Sequence, residues 1–100
     1  MDVLNPTAAE HLVDEQDRPY FLWDVDMTLD RFRELLRSDD ADLRAYLVGK
    51  LMRQARPDDV FSFVTLAEIR ESFPAVRRHL GRSLPFWEWL LEAWADDRAG

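Results

Sequence analysis

The stretch ADLRAYLVGKLMRQA, residues 41 to 55, decides the fold, because its apolar residues recur at the spacing of an α-helix. The apolar stripe of this segment consists of Leu43, Leu47, Val48, Leu51, Met52 and Ala55. Lys50, Arg53 and Arg56 are predicted to share the opposite, solvent-facing side. The segment therefore predicts one amphipathic helix that packs its stripe against the rest of the chain.

Arg44 is the exception in this helix, since its position projects into the middle of the apolar arc. A charge there must either emerge at the start of the helix or meet a carboxylate. Asp24 and Asp26 are the predicted structural carboxylates, which either cap the following helix or pair with Arg44.

Helical signals extend outward from this segment in both directions. The predicted helices run from Ala8 to about Val13, Leu29 to about Arg37, Ala41 to Ala55, a short one after Pro57, Leu66 to Phe73, one or two turns over Ala75 to Leu80, and Leu84 to about Asp96. Capping boxes are predicted at Thr7 and Thr65, an N-cap at Thr28, a break at Pro74 and a C′ glycine at Gly81. We expect an all-α fold, a compact bundle of five or six short helices, with Tyr20 to Trp23 extended and packed on it.

Size and composition indicate one domain. The chain has 100 residues, of which 47% are apolar and 12% aromatic, which favours a folded core. Residues 1 to 17 carry five acids and no Lys or Arg, and we expect them to form a loosely attached arm on a single helical domain of residues 18 to 97. The chain contains no cysteine and no stretch resembling a signal peptide or a membrane span, so a cytoplasmic location is expected.

The run from Tyr20 to Leu29 allows an enzymatic interpretation. It ends in Asp24-Val-Asp26-Met-Thr-Leu, which resembles the first motif of haloacid-dehalogenase-like phosphotransferases, where the first Asp is a nucleophile, the second a general acid, and both hold Mg²⁺. That chemistry needs further ligands from later strands of a parallel sheet. The remaining chain indicates helix after helix, so the sequence favours a structural role for Asp24 and Asp26, without a metal or other cofactor.

A second alternative is a helix-turn-helix over Thr65 to Gly81, with Arg77, Arg78 and His79 reading DNA. Pro74 leaves little room for a turn, and the net charge of −7 opposes binding to nucleic acid. A plain helical hairpin with solvated arginines is the favoured interpretation.

The last predicted helix has an apolar arc wider than a half-turn. Trp87 and Trp94 are expected in the core, whereas Trp89 lies at the edge of the arc and is the predicted anchor for a protein partner. The acidic residues Glu88, Glu92 and Asp96 accompany it and are predicted to steer this helix towards a basic surface.

The segment Leu22-Trp23-Asp24-Val-Asp26 also resembles the start of a group of small bacterial proteins. Members of the group share a helix like Leu43 to Met52, a Thr-Leu-x-Glu-Ile segment like Thr65 to Ile69, and an aromatic last helix like Phe86 to Trp94. Such proteins look like companions of nucleotidyltransferase-like toxins, and the resemblance implies an antitoxin-like role without catalytic residues.

The sequence therefore favours a non-enzymatic interaction protein that binds and restrains an enzyme partner. A small DNA-binding regulator and a minimal Mg²⁺-dependent phosphatase are the alternatives. A homo-oligomer is compatible with the sequence, and no membrane contact is expected.

Overall fold

Helix α3, Ala41–Gln54 in the computed structural model, lies at the centre of the molecule. The structure describes residues 6–99, with side chains up to residue 94. Asp40 begins α3 by accepting hydrogen bonds from the amides of Asp42 and Leu43, each at 3.1 Å. Helices before and after it in the chain pack against α3. It is therefore surrounded on more sides than a single apolar stripe predicts.

Six α-helices occur in the described residues, most of which are helical. Their bounds are α1 Ala9–Leu12, α2 Leu29–Leu35, α3 Ala41–Gln54, α4 Pro57–Val60, α5 Leu66–Val76 and α6 Leu84–Ala99. Short 3-10 helices span Tyr20–Leu22, Arg77–His79 and Gly81–Ser83. No strand is present between residues 6 and 99, where an isolated bridge joins Val13 to Pro19. The predicted all-α bundle of short helices is confirmed.

The predicted extended conformation of Tyr20 to Trp23 is wrong. Only Pro19 is extended, with φ −61° and ψ 144°, and the next three residues form a 3-10 helix. This turn buries Phe21 and Leu22 together, at 0% and 1% exposure, whereas an extended segment would alternate its side chains between two faces. Trp23 is consequently carried outward and is 76% exposed.

The N-terminal arm contacts the helical domain through Thr7 and Leu12. The capping box predicted at Thr7 does not form: Ala8 precedes α1 without a side-chain cap, and the Thr7 hydroxyl binds Asp59 instead. Residues 1 to 5 of the predicted arm lie outside the described residues.

Helix α5 runs through Pro74, so the predicted break is wrong. The α-helix ends at Val76. The 3-10 turn Arg77–His79 follows it and leads to Gly81, whose φ of +54° suits glycine. The capping box at Thr65 is present as predicted. The turn Arg77–His79 approaches α3 closely, because a Cβ on Gly49 would lie 2.5 Å from the Cβ of His79.

Helix α6 is longer than predicted, since it ends at Ala99 and not near residue 96. Among residues 6–99, no helix has both the length and the apolar composition that crossing a membrane requires.

Candidate protein-interaction site

Helix α6 displays two large aromatic side chains that its own domain covers only in part. Phe86 is 40% exposed and Trp89 is 64% exposed, and their ring centroids lie 6.1 Å apart. We call Phe86 and Trp89 the α6 aromatic patch. Neighbouring exposed aromatics are characteristic of surfaces that bind another protein.

Buried neighbours fix the direction in which this patch points. Trp87 is 1% exposed, and its indole Nε1 donates a 3.0 Å hydrogen bond to the carbonyl oxygen of Met52 on α3. Leu90, one turn further, is also buried. Because successive helical residues are about 100° apart, this anchoring directs Trp89 to solvent.

The third tryptophan of α6 belongs to the core, as the helical spacing predicts. Trp94 is half-buried and packs on Phe61, with 5.1 Å between the ring centroids. Phe61 also contacts Trp87 at a centroid distance of 6.1 Å. Trp89 therefore differs from both of its core neighbours in being available to a partner.

The acidic residues predicted around Trp89 differ in their surroundings. Glu88 accepts a hydrogen bond from Arg77 at 3.2 Å, so part of its charge is offset locally. Glu92 is exposed one turn after Glu88. The side chain of Asp96 lies outside the described residues. Glu88 and Glu92 are thus both exposed on α6, and Glu88 shares its charge with Arg77.

Asp24 forms a structural ion pair, but with Lys50 and not with Arg44. The Lys50 ammonium lies 2.6 Å from Asp24 Oδ2, and Gln54 donates to the other carboxylate oxygen at 3.3 Å. The hydrogen bond from Lys50 holds the pKa of Asp24 below its usual value. Lys50 is only 2% exposed, which corrects the prediction that it faces solvent beside Arg53.

Asp26 and Arg44 do not pair with each other. The Asp26 side chain is 93% exposed and lies 3.6 Å from Arg18. Arg44 donates to the carbonyl oxygen of Ser38 in the loop before α3. The N-cap of α2 is Thr28, which accepts from the amide of Arg31 at 3.2 Å. The predictions that Asp24 or Asp26 pairs with Arg44 or caps α2 are therefore wrong.

The phosphatase alternative finds no structural context in the described chain. Asp24 is bound by Lys50 while Asp26 projects into solvent. The strands that would supply further ligands are not found in residues 6–99. Within the same residues, no three His, Cys, Asp or Glu side chains gather as a metal site would require.

The helix-turn-helix alternative lacks its second helix. Arg77–His79 is a single 3-10 turn directly after α5. Arg77 is paired with Glu88, and Arg78 lies 3.8 Å from Asp42. Neither arginine is presented from a recognition helix that could enter a DNA groove.

Sequence reasoning missed a buried carboxylate. Asp59 is 1% exposed and accepts 2.6 Å hydrogen bonds from the Thr7 amide, the Thr7 hydroxyl and the Tyr20 hydroxyl. Burial and the bond to Asp59 raise the pKa of Tyr20 to about 12. Burial opposes ionisation of Asp59, yet the bonds from Thr7 and Tyr20 lower its pKa overall. This network ties the N-terminal arm to α4, a role that no local motif indicates.

Trp23 is the second side chain whose position was missed, since its apolar segment was expected to dock on the core.

No protein-family model matches the chain, and comparisons with curated proteins and with solved structures also find no match. The candidate site therefore depends on geometry alone, and the α6 aromatic patch is its best-defined part.

Proposed function

We propose that this chain is a non-enzymatic, antitoxin-like interaction module that binds and restrains an enzyme partner through the α6 aromatic patch. The observation that carries the proposal is Trp89, 64% exposed on a helix anchored by buried Trp87. A side chain already held on a fixed helix loses less conformational freedom on binding than one on a mobile loop. Burying such a tryptophan in a partner's pocket supplies the desolvated contact that dominates interface energy.

Charge supports a basic partner surface. The chain has a net charge of −7, and Glu92 is exposed near the patch. Acidic groups around an apolar anchor accelerate association with a positively charged surface. Enzyme clefts that bind nucleotides or RNA carry such a surface, because they must attract phosphates.

A nucleotidyltransferase-like toxin is the enzyme class that we propose as the partner. In that arrangement Trp89 would fill an apolar pocket beside the nucleotide cleft, while Glu92 faces its basic rim. The bound helix would then block substrate entry, which restrains the enzyme without chemistry on this chain.

The test is co-purification of this protein with the product of its adjoining gene. Trp89→Ala is expected to weaken the complex by about 2 kcal/mol or more, roughly a thirtyfold rise in Kd, while leaving the melting temperature nearly unchanged. The matched control is Trp23→Ala, which removes another exposed tryptophan outside α6. Undiminished binding by Trp89→Ala, or an equal loss in both variants, would contradict the proposal.

A further inference from the structure

A groove separates α5 from the side of the molecule formed by α2 and the start of α3. It consists of two adjoining cavities of about 350 and 280 Å³. The cavities share Leu36, Val64 and Glu68 among their lining residues, so they lie side by side. Phe86 and Trp89 do not line either cavity, and the groove is therefore separate from the α6 aromatic patch.

The floor of the groove is apolar, and alanines contribute several of its lining side chains. Ala45, Val48 and Ile69 are buried there, at 3%, 8% and 0% exposure. Ala41 and Ala75 line the edges. Small residues on two packed helices leave room for the side chains of a third helix, which is the geometry of helix-in-groove recognition.

Arg44 lies on the wall of the groove at the start of α3, without the carboxylate that its position calls for. Its guanidinium donates to the carbonyl oxygen of Ser38 and forms no ion pair with any described residue. A guanidinium has five N–H donors, so most of its capacity to donate hydrogen bonds remains. Arg44 also lines the larger cavity, where that capacity is accessible to a ligand.

Two further arginines extend this wall along the smaller cavity. Arg33 lies 5.5 Å from the centroid of the Phe63 ring, and Arg37 is exposed. Neither forms an ion pair within the part of the chain that the structure describes. We call Arg33, Arg37 and Arg44 the arginine wall. Three guanidiniums without carboxylate partners along one groove are unexpected on a protein whose net charge is −7.

The opposite wall, on α5, carries two carboxylates. Glu68 is engaged in the capping box, where it accepts a 2.7 Å hydrogen bond from the Thr65 amide. Glu71 is exposed at the rim. An apolar floor with carboxylates on one side disfavours a nucleic-acid strand, which would present phosphates to both walls.

We infer that this groove binds an acidic amphipathic helix of a protein partner, with apolar side chains on the floor and carboxylates on the arginine wall. Charge complementarity along an apolar groove favours this occupant. Arginine suits this role because its planar fork binds carboxylates with two parallel hydrogen bonds.

The experiment measures fluorescence anisotropy of a labelled synthetic peptide of about 18 residues, long enough to form helix on binding. The peptide carries leucines at helical spacing and glutamates beside them. A matched peptide carries lysines in place of the glutamates. The glutamate peptide is expected to bind the wild-type protein at moderate salt, and the lysine peptide to bind at least tenfold more weakly.

Variants of the protein locate the binding. Arg44→Gln and Arg37→Gln should each raise the Kd, the former by about tenfold. Ala41→Trp should block the groove without changing charge. The control Arg31→Gln removes one positive charge from a residue that pairs with Glu34 at 3.0 Å and does not line the groove, so it should leave the Kd unchanged.

Several results would overturn the inference. One is that the glutamate peptide does not bind. Another is that Arg31→Gln and Arg37→Gln weaken peptide binding equally. A third is that Ala41→Trp leaves peptide binding undiminished. The inference would also be overturned if a labelled oligonucleotide, or a second copy of the protein, binds through Arg37 and the peptide does not. Because Arg37 is exposed, its variant keeps the test decisive if Arg44→Gln fails to fold.

Discussion

Two exposed tryptophans, Trp23 and Trp89, are held in place by different interactions. Trp23 precedes Asp24, whose carboxylate is bound by the buried ammonium of Lys50. Trp89 lies between residues of α6 that are anchored by apolar burial, above all by Trp87. The display of Trp23 therefore depends partly on an ion pair, and so on pH, in addition to the buried Phe21 and Leu22, whereas that of Trp89 depends on packing. This difference makes the α6 aromatic patch the more robust binding surface of the two.

The largest effect is expected from removing the anchor of α6. Trp87→Ala deletes a fully buried indole and its hydrogen bond to the Met52 carbonyl. We expect a loss of about 3 to 5 kcal/mol in the free energy of unfolding, measured by urea denaturation. A loss below about 1 kcal/mol would show that packing of Trp87 does not hold α6 in place.

An intermediate effect is expected at the ion pair beside Trp23, and it should be asymmetric. Asp24→Asn leaves a charged ammonium at Lys50, which is 2% exposed, with the Gln54 side-chain oxygen at 3.3 Å as a remaining neutral partner. Lys50→Met removes the buried charge and fills similar volume, so it should change stability by no more than about 1 kcal/mol. We expect thermal denaturation to show a clearly lower melting temperature for Asp24→Asn than for Lys50→Met.

The double variant Asp24→Asn with Lys50→Met serves as the control for this asymmetry. It should recover most of the stability that Asp24→Asn loses, because no unpaired buried charge remains. If Lys50→Met is the more damaging single change, the expected asymmetry is wrong, and the ammonium stabilises the fold through partners other than Asp24, such as Gln54 and the Tyr46 ring.

The smallest effect is expected from acid. Since the hydrogen bond from Lys50 lowers the pKa of Asp24 from its ordinary 3.8, its contribution to stability is present above that value and is lost as pH falls through the lower, folded-state value. Between about pH 5 and pH 2 the wild type should lose stability more steeply than Asp24→Asn. Urea titrations at each pH measure this, and parallel curves for the two proteins would contradict it.

Local signals predicted much of the fold. The periodicity around Leu47, the N-cap at Thr28 and the capping box at Thr65 all involve residues within one or two helical turns, and the structure confirms them. Errors arose where distant contacts decide. Thr7 binds Asp59, 52 residues away. A separate error concerns Pro74, where the helix continues although the proline ring removes one backbone donor.

The candidate site was predictable only in part. Trp89 was expected at the edge of the α6 arc, and it is exposed. The partner of Asp24 was not predictable. Helical periodicity places Lys50 on the solvent face of α3, whereas in the structure the 3-10 helix Tyr20–Leu22 packs there and Lys50 is buried. Helical periodicity describes one helix at a time and cannot show which of its faces a non-adjacent segment will bury.

The most direct test of the central claim is fluorine NMR of the protein labelled with 5-fluorotryptophan. Its four tryptophans give separate resonances, which single Trp→Phe variants assign. During titration with the product of the adjoining gene, we predict a large shift or broadening of the Trp89 resonance and little change at Trp23. A response at Trp23 with Trp89 unchanged would contradict this prediction, because the partner would then bind outside the α6 aromatic patch.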